Sequence, residues 1–382
     1  MTTVQKNDSF IENIISSEVF PFSAEELEAA AKEKIDTAAF GYTRSGAGGE
    51  ETLRKNITSF EKYSIVPKYL NDVSVADTSI ELFGRTYAHP FLLAPVGMLK
   101  ITHEDAEIAV SKAAAKYHVP YIQSTVSSYS IEEVAAASGN SPKWFQLYWS
   151  NNENISYSMV KRAEEAGYEA IVLTIDTFMF GWREEDMRNR FSPLREGYGK
   201  ANYITDNVFL STLAHDDHDS IIQEILQNIY HPSLNWKHVA ELKKLTSLPI
   251  LLKGVLHPSD VRLAIESGVD GIIVSNHGGR QLDGVISSID ALPAIAKEAD
   301  GAIPVLLDSG IRRGADVVKA LALGADAVLY GRPYVYGLAI AGQTGVEKVL
   351  ENFIQETKVS LALSGANNVK AARNIQIVKS EQ

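Results

Sequence analysis

The stretch SNHGGRQLD (residues 275–283) interrupts the apolar run Gly271-Ile272-Ile273-Val274 with an imidazole, two glycines and a guanidinium. Glycine packs nothing and costs backbone entropy, so a pair of them marks a place where main chain comes close to something. His277 and Arg280 flank that place, a base beside a fixed cation, which suits a small anionic substrate. Asp176 closes another apolar run, AIVLTID (170–176), and is costly to bury without a partner, a role open to His277. Arg183 follows it and reads either as a solvated charge beside Glu184 and Glu185 or as a second anion contact. Lys253 in ILLKGV (250–255) reads either as a snorkelling strand-end lysine or as a cation placed for chemistry. The other eight histidines, His215 and His218 among them, read as solvated loop residues; none forms a pair with metal-ligand spacing, and no metal is expected.

These residues need elements to bring them together. Eight short, nearly continuous apolar runs recur: FLLAPVG (91–97), YIQST (121–125), WFQLYW (144–149), AIVLTID, ILLKGV, GIIVSNH (271–277), PVLLDSG (304–310) and AVLYGR (327–332). Such runs fit parallel strands covered on both faces. Helix signals separate them, including a capping box at Ser130-Ile131-Glu132-Glu133 and Ser259 before VRLAIESG. A weak repeat, AGYEAIVL, SGVDGIIV and LGADAVLY, places Gly167, Gly268 and Gly324 as left-handed helix ends. Eight strand–helix units predict an α/β fold of the (β/α)8 TIM-barrel type; an open doubly wound sheet is the alternative, disfavoured by the lack of a GxGxxG turn. The chain is expected to be a single domain spanning 1–382. It divides into an N-terminal extension (1–90, helical from about 24 to 40 and then turn-rich), a barrel (91–345) with a long insertion after strand four (178–235), and a C-terminal helix and tail (346–382).

In such barrels the loops after the strands carry function. Strand one delivers Pro95, Val96 and Gly97, and strand two Ser124 and Thr125. Strand three delivers Gln146 and Tyr148, strand four Thr174 and Asp176, strand five Lys253, and strand six Ser275, His277 and Arg280. DSGIRRG and YGRP then supply Asp308, Ser309, Gly310, Ile311, Arg312, Arg313, Gly331 and Arg332 after strands seven and eight, where barrels commonly bind phosphate. The residues therefore point to a phosphorylated ligand on one side. On the other, a His, two arginines and the hydroxyls of Tyr42 and Tyr148 could hold a small carboxylate.

Composition narrows the classes. The 382 residues are 45% apolar and 22% charged, ordinary for a soluble globular protein, and the formal charge of −12 leaves no basic surplus for nucleic acid. With no cysteine, disulfides, thiolate catalysis and cysteine-bound zinc or iron–sulfur centres are excluded. MTTVQKNDSF lacks the regions of a signal peptide, no apolar stretch approaches membrane-span length, and KSEQ is not a peroxisomal tripeptide, so a cytoplasmic protein with no membrane partner is expected.

At SNHGGRQLD, together with LLKGV and LDSGIRRGADVVKALALGADAVLYGRP, the chain resembles the FMN-dependent L-2-hydroxy acid oxidases and dehydrogenases, from YTRSGAGGE (42–50) to the C-terminal helix. The resemblance implies FMN at the C-terminal face of the barrel, a small 2-hydroxy carboxylate and O2 as partners, and homotetramers or homo-octamers. His277 resembles the base that takes a proton as the C2–H bond breaks, with Asp176 as its orienting partner. Arg280 and Arg183 resemble the carboxylate clamp, and Tyr42 and Tyr148 the hydroxyls on substrate or product. Lys253 resembles the cation beside the flavin N1 and O2 atoms. Pro95, Val96, Gly97, Ser124, Gln146, Thr174 and Ser275 resemble further FMN contacts, and Asp308, Ser309, Gly310, Ile311, Arg312, Gly331 and Arg332 the ribityl and phosphate site.

Two features suggest a branch. Gly97 stands where many oxidases carry Ala, and DTFMFGWR (176–183), NYITDNVF (202–209) and VPYIQST are similar to lactate 2-monooxygenase. Val126, where glycolate oxidases usually carry Trp, leaves room for a methyl group, so L-lactate is the expected substrate, with a gain over its neighbours of only about 1–3 kcal/mol. The monooxygenase outcome (acetate, carbon dioxide and water) is preferred over oxidase release of pyruvate and peroxide. The alternatives are glycolate oxidase, a dehydrogenase feeding a quinone or cytochrome, a Lys253 Schiff-base aldolase, which requires a depressed lysine pKa, and an inactive flavin-binding scaffold.

Overall fold

The computed structural model describes residues 20–380; MTTVQKNDSF and the last two residues of KSEQ lie outside them. Eight parallel strands close a barrel in sequence order: Phe91–Leu93, Tyr121–Ser124, Lys143–Leu147, Ile171–Thr174, Ile250–Val255, Gly271–Val274, Val305–Leu307 and Ala327–Tyr330. The last pairs with the first through Val328 and Phe91. The strands lie between the barrel interior and an outer ring of helices, which is why their residues are buried almost without alternation.

One helix packs after each strand: Ala106–Lys116, Ile131–Ser138, Glu153–Glu165, Trp236–Leu245, Pro258–Glu266, Ser288–Ala299, Gly314–Ala322 and Arg332–Leu363. The Ser130 capping box forms as expected, with Glu133 N–H donating to Ser130 Oγ and Ser130 N–H to Glu133. Gly167, Gly268 and Gly324 turn the chain back with φ of 77°, 72° and 110°. The helix expected to begin after Ser259 begins earlier, with Pro258 in its first turn and His257 as the cap accepting from Ser259 N–H.

The extension before the barrel holds more structure than its sequence suggests. Helices Ala24–Lys32 and Thr37–Arg44 are followed by a third, Glu51–Glu61, and by a hairpin of Ile80–Leu82 with Arg85–Tyr87. The third helix buries Thr52, Asn56 and Ser59 beside Leu53 and Phe60, so its buried face is too polar to show as an apolar stripe. The hairpin brings Phe83 and Tyr87 against Trp144 at the start of strand three (ring centroids 5.7 and 6.1 Å), sealing the N-terminal end of the barrel. The insertion after strand four carries short helices Glu184–Asn189, Ala201–Ile204 and Asn207–Leu210, and a longer one, His218–Asn228. The last helix starts directly after strand eight at Arg332, and a break at Ala341–Gly342 divides it before the segment expected to be helical.

Candidate active site

The C-terminal ends of the strands surround a cleft of about 1050 Å³ including its mouth. Strand six enters it in an uncommon conformation. His277 has φ of 59°, and Gly278 and Gly279 continue in the left-handed region at 63° and 76°. A non-glycine residue there is strained and is kept only where its surroundings fix it. Three contacts do so. Ser275 Oγ accepts from His277 N–H at 3.0 Å, Ser309 Oγ accepts from Gly278 N–H at 2.9 Å, and Asn276 Oδ1 accepts from Gly279 N–H at 3.1 Å. The glycine pair makes room for protein: a Cβ on Gly278 would lie 2.8 Å from Arg332 Nη1, and one on Gly279 2.7 Å from Leu53 N.

The turn leaves the His277 ring held from behind. Its Nδ1 lies 2.8 Å from Asp176 Oδ1 and 3.1 Å from Thr177 Oγ1, which itself donates to Asp176 at 3.0 Å. Nδ1–H donating to the carboxylate leaves Nε2 with the free lone pair, facing Tyr148 Oη at 3.5 Å. Burial lowers the His277 pKa, Asp176 opposes that, and Lys253 adds to it, so the imidazole is neutral at neutral pH. Asp176 stays ionised: burial pushes its pKa up, but the imidazole, Lys253 and two hydrogen bonds together hold it below the usual carboxylate value. Burial and the Asp176 charge drive the Tyr148 phenol well above its ordinary range, so it is a proton donor only.

Two guanidinium groups share the cleft with this pair. Arg280 Nη1 donates to the carbonyls of Tyr42 (2.6 Å) and Ser45 (2.9 Å), and its guanidinium lies over the Tyr42 ring at 4.7 Å. Its Nη2 is buried with no partner among the described residues. Arg183 Nε donates to the Arg280 carbonyl at 3.1 Å and Nη2 to Gln281 Oε1 at 3.2 Å. Burial and then Arg183 lower the Arg280 pKa, so two neighbouring cations stand ready for one anion.

The other end of the cleft is organised by Lys253, whose Nζ lies 3.2 Å from Asp308 Oδ2 and 3.0 Å from Ser275 Oγ. The strand register shifts between Lys253 and Val255, a bulge that sets this side chain at the cleft. Burial pulls the Lys253 pKa down, but Asp308 and Asp176 outweigh it and the pKa is raised. A Schiff-base lysine requires the opposite shift, so the aldolase alternative loses its physical basis.

The protein-family model described as FMN-dependent dehydrogenase matches residues 31–379. The chain belongs to that family. FMN-dependent dehydrogenases similar to it include L-lactate oxidase of Lysinibacillus sphaericus, 59% identical over 381 residues, covering 100% of this chain and 99% of that one. Human 2-hydroxyacid oxidase 1 is 40% identical over 345 residues (90% and 93% of the two chains). Among solved structures, mandelate oxidase superposes with a TM-score of 0.85 at 39% identity, covering 94% of this chain and 98% of that one. The protein is thus an FMN-dependent 2-hydroxy acid oxidoreductase on a (β/α)8 barrel.

The cleft of this FMN-dependent enzyme fits its cofactor, a flat ring system with a phosphate tail. Pro95, Val96, Gly97, Lys253, Asp308, Ser309, Gly310, Ile311, Arg312, Gly331 and Arg332 all line it. Among the described residues, the N–H groups of Gly310, Ile311 and Gly331 donate to no protein acceptor, and Arg312 stands beside them, a donor set suited to a phosphate. Arg332 also has a structural task. It donates to the carbonyls of Thr43, Ser45 and Gly278, tying the extension to the strand-six loop, and burial lowers its pKa to about 9.

Some expected residues lie elsewhere. Ser124, Gln146 and Thr174 are buried behind the cleft lining in a row, with Ser124 Oγ donating to Gln146 Oε1 (3.1 Å) and Gln146 Nε2 to Thr174 Oγ1 (3.0 Å). Asp176 and Ser275 act on the cleft from behind His277 and Lys253. Arg313 turns away toward Glu25. Reading the sequence missed Thr177, next to Asp176 in the motif TIDT. It also missed Gln281, whose amide donates to the Asp176 carbonyl at 2.8 Å while its oxygen holds Arg183. Asp186 is a third omission: a buried carboxyl whose pKa is raised by burial, against the nearby charges of Arg280 and Arg183.

Proposed function

We propose that the protein oxidises L-lactate at C2, with O2 as the final electron acceptor and pyruvate and hydrogen peroxide as released products. The observation that carries this reading is His277, anchored at Nδ1 by Asp176 and open at Nε2 toward the space shared with Tyr148, Arg183 and Arg280. FMN, held by the residues that line the cleft, would supply a two-electron acceptor that O2 can reoxidise.

The chain's residues supply the rest. Arg280 through Nη2 and Arg183 hold the substrate carboxylate, each braced so that its fork is already aimed. Tyr42 and Tyr148 donate to carboxylate or hydroxyl oxygens. Of the two hydrogens lost from C2–H and the hydroxyl, His277 Nε2 takes one as a proton and the other leaves toward the flavin side, both ending in peroxide; Asp176 and Thr177 stabilise the imidazolium that results. Lys253, held charged by Asp308, stabilises negative charge where it develops at the flavin end. Ser124, Gln146, Thr174 and Ser275 support the ring end, and Arg312, Gly310, Ile311 and Gly331 the phosphate.

The 59% identity to an L-lactate oxidase across the whole chain favours lactate and peroxide release. Gly97, together with the likeness of 176–183 and 202–209 to lactate 2-monooxygenase, pointed to the monooxygenase outcome. A Cβ on Gly97 would collide with Val126 Cγ2 and lie 3.1 Å from Ser124 Oγ, so packing already accounts for the glycine and weakens that argument. A cytoplasmic homotetramer or homo-octamer belongs to the same reading. No helix among the described residues is long and apolar enough to cross a membrane. Aerobic turnover of FMN-loaded protein with L-lactate, with pyruvate, peroxide and acetate measured together, tests it. Equal pyruvate and peroxide are expected; acetate without peroxide would restore the monooxygenase reading, and no turnover would remove lactate.

A further inference from the structure

A separate cluster lies where the insertion ends. His231 follows helix His218–Asn228, His238 stands in the first turn of helix Trp236–Leu245, and Glu153 opens helix Glu153–Glu165. One ligand atom from each lies within 4.8 Å of the others. The two imidazole centroids are 4.7 Å apart at an interplanar angle of 63°, and His238 Nε2 lies 3.6 Å from Glu153 Oε1. We propose that Glu153, His231 and His238 form a binding site for one zinc ion, which clasps the end of the insertion to the helix after strand three.

Two of the three ligands have a partner on the polar atom turned away from the ion. His238 Nδ1 accepts from Asn235 N–H at 3.0 Å, which puts the ring proton on Nε2; the Asn235 carbonyl, 3.3 Å from Nδ1, is the acceptor for that proton when it moves to Nδ1 and frees Nε2 to bind an ion on the Glu153 side. Glu153 Oε2 accepts from Tyr157 Oη at 3.0 Å, which orients the carboxylate and leaves Oε1 for the ion. Metal-bound imidazoles and carboxylates are typically braced in this way through their second polar atom. His231 Nδ1 is buried and has no hydrogen-bond partner among the described residues, an expense that an ion would remove.

The donor set decides the ion. Two imidazoles and one carboxylate suit zinc, with water in the fourth position, whereas magnesium and calcium prefer oxygen alone. Tetrahedral ligands at about 2.0–2.2 Å stand about 3.3–3.6 Å apart, so closing from the present spacing takes side-chain shifts on the order of 1 Å. The clasp would act near the active site without entering it. Tyr230, adjacent to His231, packs edge-on to Phe180 at 5.9 Å, and the His238 ring lies 5.8 Å from Trp149, the neighbour of Tyr148. The two histidines are seven positions apart and Glu153 stands seventy-eight positions before His231, so the spacing in the chain gave no sign of the site.

Calorimetric titration of metal-stripped, FMN-loaded full chain with zinc chloride tests the proposal, alongside His231→Ala, Glu153→Gln and, as an off-site control, the exposed His215→Ala. One zinc per chain is expected, with affinity weakened at least about tenfold in His231→Ala and in Glu153→Gln and unchanged in His215→Ala. Zinc should also slow backbone hydrogen exchange over residues 229–238 in the wild type and not in His231→Ala. Glu153→Gln keeps an acceptor for Tyr157, so folding and ligation are separable. No saturable site below about 100 µM free zinc, a site that both variants keep, or protection confined to another segment would overturn it.

Discussion

Two carboxylates each hold a basic side chain at the cleft, and the two pairs are built for opposite ends. Asp176 with His277 (2.8 Å) is the shorter and less buried pair, and Asp308 with Lys253 (3.2 Å) the longer and more fully buried one. In the first, burial outweighs the carboxylate and lowers the imidazole pKa, leaving a neutral base that can gain a proton during turnover. In the second, two carboxylates outweigh burial and raise the ammonium pKa, leaving a charge that does not switch. The difference teaches that ion-pair geometry alone does not define a role. The ordinary pKa of the cationic partner and the number of carboxylates facing it decide whether the pair is a proton relay or a fixed field.

The largest effect is expected where the switch is removed. His277→Ala should retain FMN absorbance but lose about 10²–10⁴ in the anaerobic rate of reduction by L-lactate. Normal reduction would remove His277 as the base. Breaking the fixed pair removes a charge from the flavin end and also acts on the fold. Lys253→Met leaves Asp308 buried without its cation and should cost about 3–5 kcal/mol in urea unfolding; an unchanged midpoint would mean that the pair is not needed for stability.

A third buried carboxyl sharpens the comparison because it has no cation. Glu107 Oε1 accepts from Leu99 N–H and Ser128 N–H, Oε2 has no partner, and burial raises the pKa to about 7. A folded-state pKa above the unfolded value of 4.5 means that the stabilising protonated form is fully present below pH 4.5 and lost as pH rises through 7. The loss is roughly 3 kcal/mol across that window. Glu107→Gln should flatten this slope in unfolding experiments at pH 4.5 and pH 7.5. An identical slope in both proteins would assign the dependence to other groups.

The barrel and most of the cleft were legible in the sequence because parallel strands buried on both faces read as continuous apolar runs. The polar residue closing each run then lies at one end of the barrel. His277, Asp176, Lys253 and the arginines stood out for that reason. The helix Glu51–Glu61 did not, since Thr52, Asn56 and Ser59 are buried by packing on the strand-six loop that no local pattern announces. Gln281 and Thr177 were hidden differently: neutral residues next to charged ones, with roles set by contacts about a hundred residues away. The glycine pair was recognised as a point of close approach, but its neighbours, Arg332 and Leu53, required the fold.

The central claim is that burial makes His277 a neutral base with a depressed pKa, which Asp176 partly restores while orienting the ring. The pH profile of kcat/KM for L-lactate, compared between wild type and Asp176→Asn, tests it most directly, because its acid limb reports the base in the free enzyme. The account predicts a wild-type limb below the ordinary imidazole value of 6.5. In the variant it should fall further, because the carboxylate that raises the pKa is gone, while the plateau drops about 10- to 1000-fold. A wild-type limb above 6.5, or one that Asp176→Asn leaves in place, would contradict it.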